Sequence, residues 1–423
     1  MQHHETVPLV AVQRGSGPWL YDHDGNRYLD AISSWWVNLF GHANPRINDA
    51  LKQQLDTLEH AMLAGFTHEP VVLLSEKLSA LTDGALGHCF YASDGSSAVE
   101  IALKMSFHSW RNQGLGSKQE FVCLKGGYHG ETVGALGVTD VPIFRDAYDA
   151  LLKPAHTLMS PDARQSIEEE SADQVALRAA RELETLLQER AAHISAVIIE
   201  PLVQCAGGMA MHSPVYIQEV RRLCTAFGVH FIADEIAVGC GRTGRFFACQ
   251  HAAVWPDFLC LSKGISGGYL PLSLVMTRND VYASFYSDSI VRGFLHSHSY
   301  TGNPLACRAA LATLEIFEKD DVLAQNRVLA KRISNGLAPL AAHEKVGHFR
   351  QQGMVWAFDA KVEDAKLAAT FSRRFFASAL KHELLVRPIG TTVYVMPPYV
   401  LSDSDAGFLT ERLQTVFDEV IRA

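Results

Sequence analysis

Phe231-Ile232-Ala233-Asp234-Glu235 is an apolar run that ends in two carboxylates, and Leu261-Ser262-Lys263-Gly264 is another that ends in a lysine. Both have the length and composition of strands buried on two faces. In open α/β sheets ligands bind beyond the carboxyl ends of the strands, where these charges stand. Outward from them the pattern repeats. His88-Cys89-Phe90-Tyr91, Phe121-Val122-Cys123-Leu124 and Ala196-Val197-Ile198-Ile199 are further short apolar strands. Helices are expected over 97–111, 173–191 and 214–227, the second with Ala176, Ala180, Leu183 and Leu187 on one face. Strands alternating with helices predict an α/β fold with a mostly parallel central sheet flanked by helices.

The ends of the chain read differently. Trp19-Leu20-Tyr21 and Tyr28-Leu29-Asp30 flank the turn signal Asp24-Gly25-Asn26 and predict a hairpin. Pro45 opens an amphipathic helix expected to run to about Leu63. After about residue 318 come a helix up to Ala341, the strand Met354-Val355-Trp356-Ala357-Phe358, another helix, and the strand Thr392-Val393-Tyr394-Val395-Met396. The expected organisation is a large domain over 46–318 and a smaller α+β domain assembled from 1–45 and 319–423. The segment 160–173, with Glu168-Glu169-Glu170, reads as a solvated loop or helix approach.

Composition removes several function classes. The 423 residues carry a net charge of −9 with no Lys/Arg-rich stripe, which argues against nucleic acid and anionic membranes as partners. No apolar run is long enough for a membrane span, and Met1-Gln2-His3-His4-Glu5-Thr6 lacks a signal-peptide start, so a cytoplasmic location is expected. Eight cysteines without a C-x-x-C pair read as reduced thiols, with neither a disulfide framework nor structural zinc.

Alone, Asp234 reads as a helix cap and Lys263 as a turn lysine. Together, 29 residues apart at two strand ends, they fit a pyridoxal enzyme, which needs a lysine to bind the cofactor's aldehyde and an acid facing its pyridinium. Ser93-Asp94-Gly95-Ser96-Ser97 leads from a strand to a helix N-terminus, a place for phosphate; Ser97 and Glu100 are also spaced as a capping box. Gly126-Gly127-Tyr128-His129-Gly130-Glu131-Thr132 hems an aromatic ring with glycines, as a planar ligand would need, although a packed turn tyrosine reads equally well. Ser299-Tyr300-Thr301-Gly302-Asn303-Pro304 reads as a turn before a helix. A metal-dependent hydrolase built on Asp234, Glu235, His296 and His298 is a remote alternative, because no second compact ligand motif is found and no metal is expected.

In this order, and across nearly the whole chain, these motifs resemble the class III pyridoxal-phosphate aminotransferases, of fold-type I. The resemblance implies roles for residues. Lys263 would hold pyridoxal 5′-phosphate and shuttle the proton, and Asp234 would keep the ring nitrogen protonated. Gly95 and Ser96 would bind the phosphate. Tyr128 would lie on one ring face and border the substrate, with Ile236 on the other face. Ser299 and His298 would reach the phosphate in the partner subunit of a homodimer.

Within the family, Ser33-Ser34-Trp35-Trp36, His296-Ser297-His298-Ser299, Val386-Arg387-Pro388-Ile389 and Met396-Pro397-Pro398-Tyr399 resemble the members that transfer an amino group from S-adenosylmethionine to 8-amino-7-oxononanoate in biotin biosynthesis. That acceptor is a long apolar chain ending in carboxylate. It suits the aromatic walls Trp35 and Trp36, with Ser297, and an arginine fork from Arg387. An ω-amino acid aminotransferase, aminomutase or racemase of the same fold is the nearer alternative. Three departures from the family pattern stand out. A Trp-His-Pro-x-Thr stretch, which helps line the substrate site, is not found ahead of Met1–Pro8. His298 interrupts a stretch that often reads His-Gly-Pro-Thr. Glu131 stands where Asp is frequent.

Overall fold

The computed structural model describes residues 9–422, so the reading of Met1–Pro8 falls outside the described residues. The chain divides into two compact units. One comprises Leu51–Cys240 and Arg245–Leu311; the other comprises Met1–Ala50, Gly241–Gly244 and Ala312–Ala423. The boundaries fall at residues 50 and 311, where the sequence places them at 45 and 318, and the short Gly241–Gly244 insert belongs to the smaller unit.

The larger unit is built on seven strands: β1 (His88–Ala92), β2 (Glu120–Leu124), β3 (His156–Leu158), β4 (Ile194–Ile199), β5 (His230–Asp234), β6 (Phe258–Leu261) and β7 (Ser273–Thr277). Their order across the sheet is β1-β7-β6-β5-β4-β2-β3. Neighbours from β6 to β3 run parallel, while β7 runs antiparallel to both β6 and β1. The expected mostly parallel sheet is therefore present. Strands β4 to β7 are buried along their whole length, which explains why they read as unbroken apolar runs. Strand β7 and the short β3 were not anticipated. Ser273-Leu274-Val275-Met276-Thr277 has the right composition, but it follows β6 without the helix that parallel strands require, and the chain instead returns antiparallel.

Helix α1 (Gly95–Asn112) packs Val99, Ala102, Leu103 and Met105 on the sheet with Ile198, Ile232, Phe258 and Val275. Helix α2 (Ala172–Arg190) starts with a capping box made by Ser171 and Gln174, and α3 (Pro214–Phe227) ends at Gly228 in the left-handed conformation, φ 61°. The segment before α2 is not wholly solvated. Ser160 and Asp162 are buried, because the Ser160 hydroxyl bonds to Gln204 Oε1 and Asp162 caps a short turn.

In the smaller unit, the hairpin pairs Trp19–Asp22 with Arg27–Asp30, and Val346–Gln352, Val355–Ala360 and Thr392–Val395 form a three-stranded antiparallel sheet. The helix opened by Pro45 stops at Leu55, eight residues short of expectation. Gln54 donates its side-chain amide to the Leu58 carbonyl, and the regular ladder breaks at Thr57, whose N–H bonds to the Gln54 carbonyl three residues back. Among the described residues no helix is long and apolar enough to cross a membrane.

Candidate active site

Strand β5 delivers Asp234 as its last residue, paired with Cys260 of β6. The carboxylate is buried and fixed by two donors. Ile236 N–H reaches Oδ1 at 3.1 Å, and the His129 ring meets Oδ2 through Nδ1 at 2.8 Å. A buried charge requires such partners. His129 is itself 2% exposed, and its backbone N–H donates to Thr139 Oγ1 at 3.0 Å.

Lys263 stands two residues past the end of β6. Its φ is +47°, a left-handed conformation that costs a non-glycine residue about 1 kcal/mol or more. Ser262 anchors the turn by donating to the Leu272 carbonyl at 2.8 Å, and Gly267 and Gly268 take φ values of 64° and 85° beyond it. Burial lowers the pKa of the Lys263 ammonium, opposed by Cys205, Asp234 and Glu200 nearby. A lowered pKa favours the neutral amine, the form that can bind an aldehyde.

The start of α1 supplies the third part. Asp94 is the N-cap, accepting from Ser97 N–H at 2.9 Å. The expected Ser97–Glu100 capping box does not form. Glu100 instead accepts the backbone N–H groups of Gly134 at 2.7 Å and Ala135 at 3.3 Å. The N–H groups of Gly95 and Ser96 open the helix, ahead of any intrahelical acceptor. A Cβ on Gly95 would lie 3.0 Å from Ile236 Cγ2, so glycine keeps the gap between the helix start and Ile236 open. The Gly126–Thr132 loop closes against this start, with Glu131 N–H donating to Ser96 Oγ at 3.2 Å. A Cβ on Gly130 would collide with the same hydroxyl, at 2.2 Å.

Tyr128 is held at both ends. Its N–H donates to Glu200 Oε2 at 3.0 Å and its hydroxyl to Glu131 Oε1 at 2.8 Å. Burial first, then Glu131, raise its pKa above that of an ordinary tyrosine. Glu131, longer than the frequent Asp, still reaches the phenol. Glu200, one residue past β4, also accepts Cys205 N–H at 2.9 Å, and burial pushes its carboxyl up to about 7. His129 and Glu200 were missed in the sequence. His129 sat inside a motif read for its tyrosine; Glu200 carried the same signal as Asp234, an acid at the end of an apolar strand.

The larger unit thus brings together Lys263, Asp234, Tyr128, Gly95, Ser96 and Ile236. Ser297, His298 and Ser299 belong to the same unit, on a segment where Ser297 and Ser299 are exposed. The remaining three lie in the smaller unit. Trp35 is 58% exposed, and the Arg387 guanidinium sits 5.3 Å from its ring centre. Trp36 departs from its expected role as an open wall. It is buried, donates Nε1–H to the Tyr394 hydroxyl at 3.1 Å and packs edge-on against that ring. The cause is an unusual backbone. Ser33, Ser34, Trp35 and Trp36 all have positive φ, so consecutive side chains diverge. Asp30 holds Ser34 through its N–H at 2.8 Å and hydroxyl at 2.6 Å, and the buried Arg242 donates to the carbonyls of Trp36, Asn38, Met396 and Pro397.

Among the described residues no group of three or more His, Cys, Asp or Glu side chains is arranged to hold a metal ion. The donor set of the larger unit fits pyridoxal phosphate instead: a desolvated amine, a doubly anchored carboxylate, and unsatisfied helix N–H groups beside a gap that a Cβ would narrow.

The Aminotransferase class-III family matches residues 1–417, and the chain belongs to it; it is a pyridoxal-phosphate-dependent aminotransferase of fold-type I. It is 44% identical to the adenosylmethionine-8-amino-7-oxononanoate aminotransferase of Helicobacter pylori, over 99% of this chain and 94% of that protein. The crystal structure of the enzyme of that name from Methanocaldococcus jannaschii superposes with a TM-score of 0.92 at 34% identity, covering 99% and 95% of the two chains. A PLP-bound amine transaminase from an uncultivated Pseudomonas species gives a TM-score of 0.91 at 30% identity, covering 98% and 95%.

Proposed function

We propose that this chain transfers an amino group from S-adenosylmethionine to 8-amino-7-oxononanoate, giving 7,8-diaminononanoate for biotin synthesis. The observation that carries this reading is the near full-length identity to relatives of that activity. Bound pyridoxal phosphate supplies an electron sink for the carbon that loses its proton. The protein's residues do the rest. The Lys263 amine would bind the cofactor's aldehyde and, when free, would move a proton at the substrate carbon. Asp234, held by His129 and Ile236 N–H, would pair with the ring nitrogen and favour its protonated form. Gly95 and Ser96 would hold the phosphate, and Tyr128 and Ile236 would hold the ring. Trp35 gives the acceptor an apolar wall, Arg387 grips its carboxylate, and Ser297 contributes a hydroxyl.

A homodimer is part of this proposal. The larger unit carries a groove of about 890 Å³ lined in part by Phe107, Phe121, Leu151, Val291 and Leu295. Ile290, Val291 and Leu295 are 75%, 80% and 72% exposed there, an apolar cluster that a second copy would cover. Ser299 and His298 would then serve the partner's cofactor. A cytoplasmic location is also proposed, supported by the eight cysteines, all of them free thiols.

The fold is shared with amine transaminases, so substrate must be tested directly. In single-turnover half-reactions, S-adenosylmethionine should convert the bound cofactor to its amine form and 8-amino-7-oxononanoate should restore it. Conversion by simple ω-amines but not by S-adenosylmethionine would overturn the assignment.

A further inference from the structure

His298 stands where the often-found His-Gly-Pro-Thr stretch has proline, and its surroundings give it a defined polarity. Lys104, on α1, lies 2.9 Å from His296 Nδ1, and His296 Nε2 lies 3.0 Å from His298 Nε2. An ammonium group can only donate, so His296 Nδ1 must accept. His296 then carries its proton on Nε2 and donates it to His298 Nε2. His298 therefore accepts at Nε2 and carries its own proton on Nδ1. Three side chains in a row leave one arrangement of protons. A 180° flip of the His296 ring would put Cδ2 and Cε1 where the two nitrogens stand and forfeit both contacts, while Phe294, with planes 5° apart, and Phe90, edge-on, keep the ring in its plane. Lys104 is steered by the same Phe294 ring, 5.7 Å from its centre. Burial first, then Lys104 and His298, lower the His296 pKa, in keeping with a neutral ring.

We propose that Lys104 and His296 are positioning residues that hold His298 as an Nδ1–H donor for a phosphate monoester, the cofactor phosphate of the second subunit. The inference rests on the homodimer reading above, in which the exposed Ser299 beside His298 serves that phosphate. A donor polarised from behind by an ammonium makes a stronger bond to an anion than an isolated imidazole does. The relay thus gives His298 a role that the hydroxyl of Ser299 does not fill.

The test compares pyridoxal phosphate with pyridoxal, which lacks the phosphate, as ligands of the full-length protein resolved of cofactor. Lys104→Met and His298→Phe should each weaken pyridoxal phosphate roughly five- to tenfold and leave pyridoxal unchanged. Equal weakening of both ligands, or no weakening, overturns the relay. Ser299→Ala separates this inference from the reading beneath it. If Ser299→Ala weakens pyridoxal phosphate and Lys104→Met does not, the relay alone fails. If Ser299→Ala has no effect, the segment does not reach a cofactor phosphate and both fail. Should the variants fold poorly, ¹⁵N spectra of histidine-labelled holoenzyme decide the matter without mutation at Lys104. His296 should be protonated at Nε2 and His298 at Nδ1; a His298 proton on Nε2 overturns the proposal.

Discussion

Replacing Glu200 by glutamine should abolish the pH response at one buried position. Glu200 is 5% exposed, accepts the N–H groups of Tyr128 and Cys205, and has its pKa raised to about 7, first by burial and then by Asp234, with His129 and the two N–H groups opposing. A carboxyl that ionises at about 4.5 unfolded and about 7 folded binds its proton more tightly in the folded state. Its contribution to stability is intact below pH 4.5 and is lost as pH rises toward and through 7. Between pH 5 and pH 8 this amounts to roughly 2–3 kcal/mol, at about 1.4 kcal/mol per pKa unit. Glutamine does not ionise, so it escapes the loss. It also has a single acceptor oxygen, which leaves one of the two N–H groups facing an NH₂ at a cost of about 1–3 kcal/mol at every pH. Glu200→Gln should therefore be clearly less stable than the parent at pH 5 and about equal to it at pH 8. Urea denaturation of both proteins without cofactor, followed by fluorescence at the two pH values, measures the gap. A gap that stays constant, or widens toward pH 8, would refute the reasoning.

Other expectations are briefer. Gly130→Ala places a Cβ 2.2 Å from Ser96 Oγ at a residue with φ +121°, so cofactor affinity and melting temperature should both fall; unchanged values would show that the loop does not close on the helix start. Arg387→Ala should raise KM for 8-amino-7-oxononanoate about 10- to 100-fold, the worth of a charge-assisted contact, and steady-state kinetics that show no change would remove Arg387 from the carboxylate site. Arg242→Met should destabilise by roughly 3–5 kcal/mol, because four carbonyls in the smaller unit lose their donor; a denaturation midpoint equal to the parent's would contradict this.

What the sequence made legible follows from the range of the interactions involved. The parallel strands read clearly because burial on both faces leaves unbroken apolar runs, as in Ile194–Ile199. The helix over Pro214–Phe227 was read to the residue, since Pro and Gly mark its ends. Strand β7 was lost because its antiparallel return is set by neighbours 183 positions away, where Leu274 pairs with Tyr91. The approach of Lys263 to Asp234 follows from strand ends on β6 and β5, which pair directly, while the Gly95 turn follows β1, on the far side of β7. The anchors of that site were not legible. His129 meets Asp234 across 105 residues, and Arg242 binds carbonyls 154 to 206 residues away. Nor does any local pattern announce that Ser33 to Trp36 turn left-handed and send Trp35 outward while Trp36 goes in.

The central claim is that Lys263 carries the cofactor, and borohydride reduction followed by peptide mapping tests it most directly. The purified protein should be yellow, and reduction should fix the phosphopyridoxyl group on Lys263 alone. A label on another lysine, or a colourless protein that takes up no label when supplied with pyridoxal phosphate, would contradict the account.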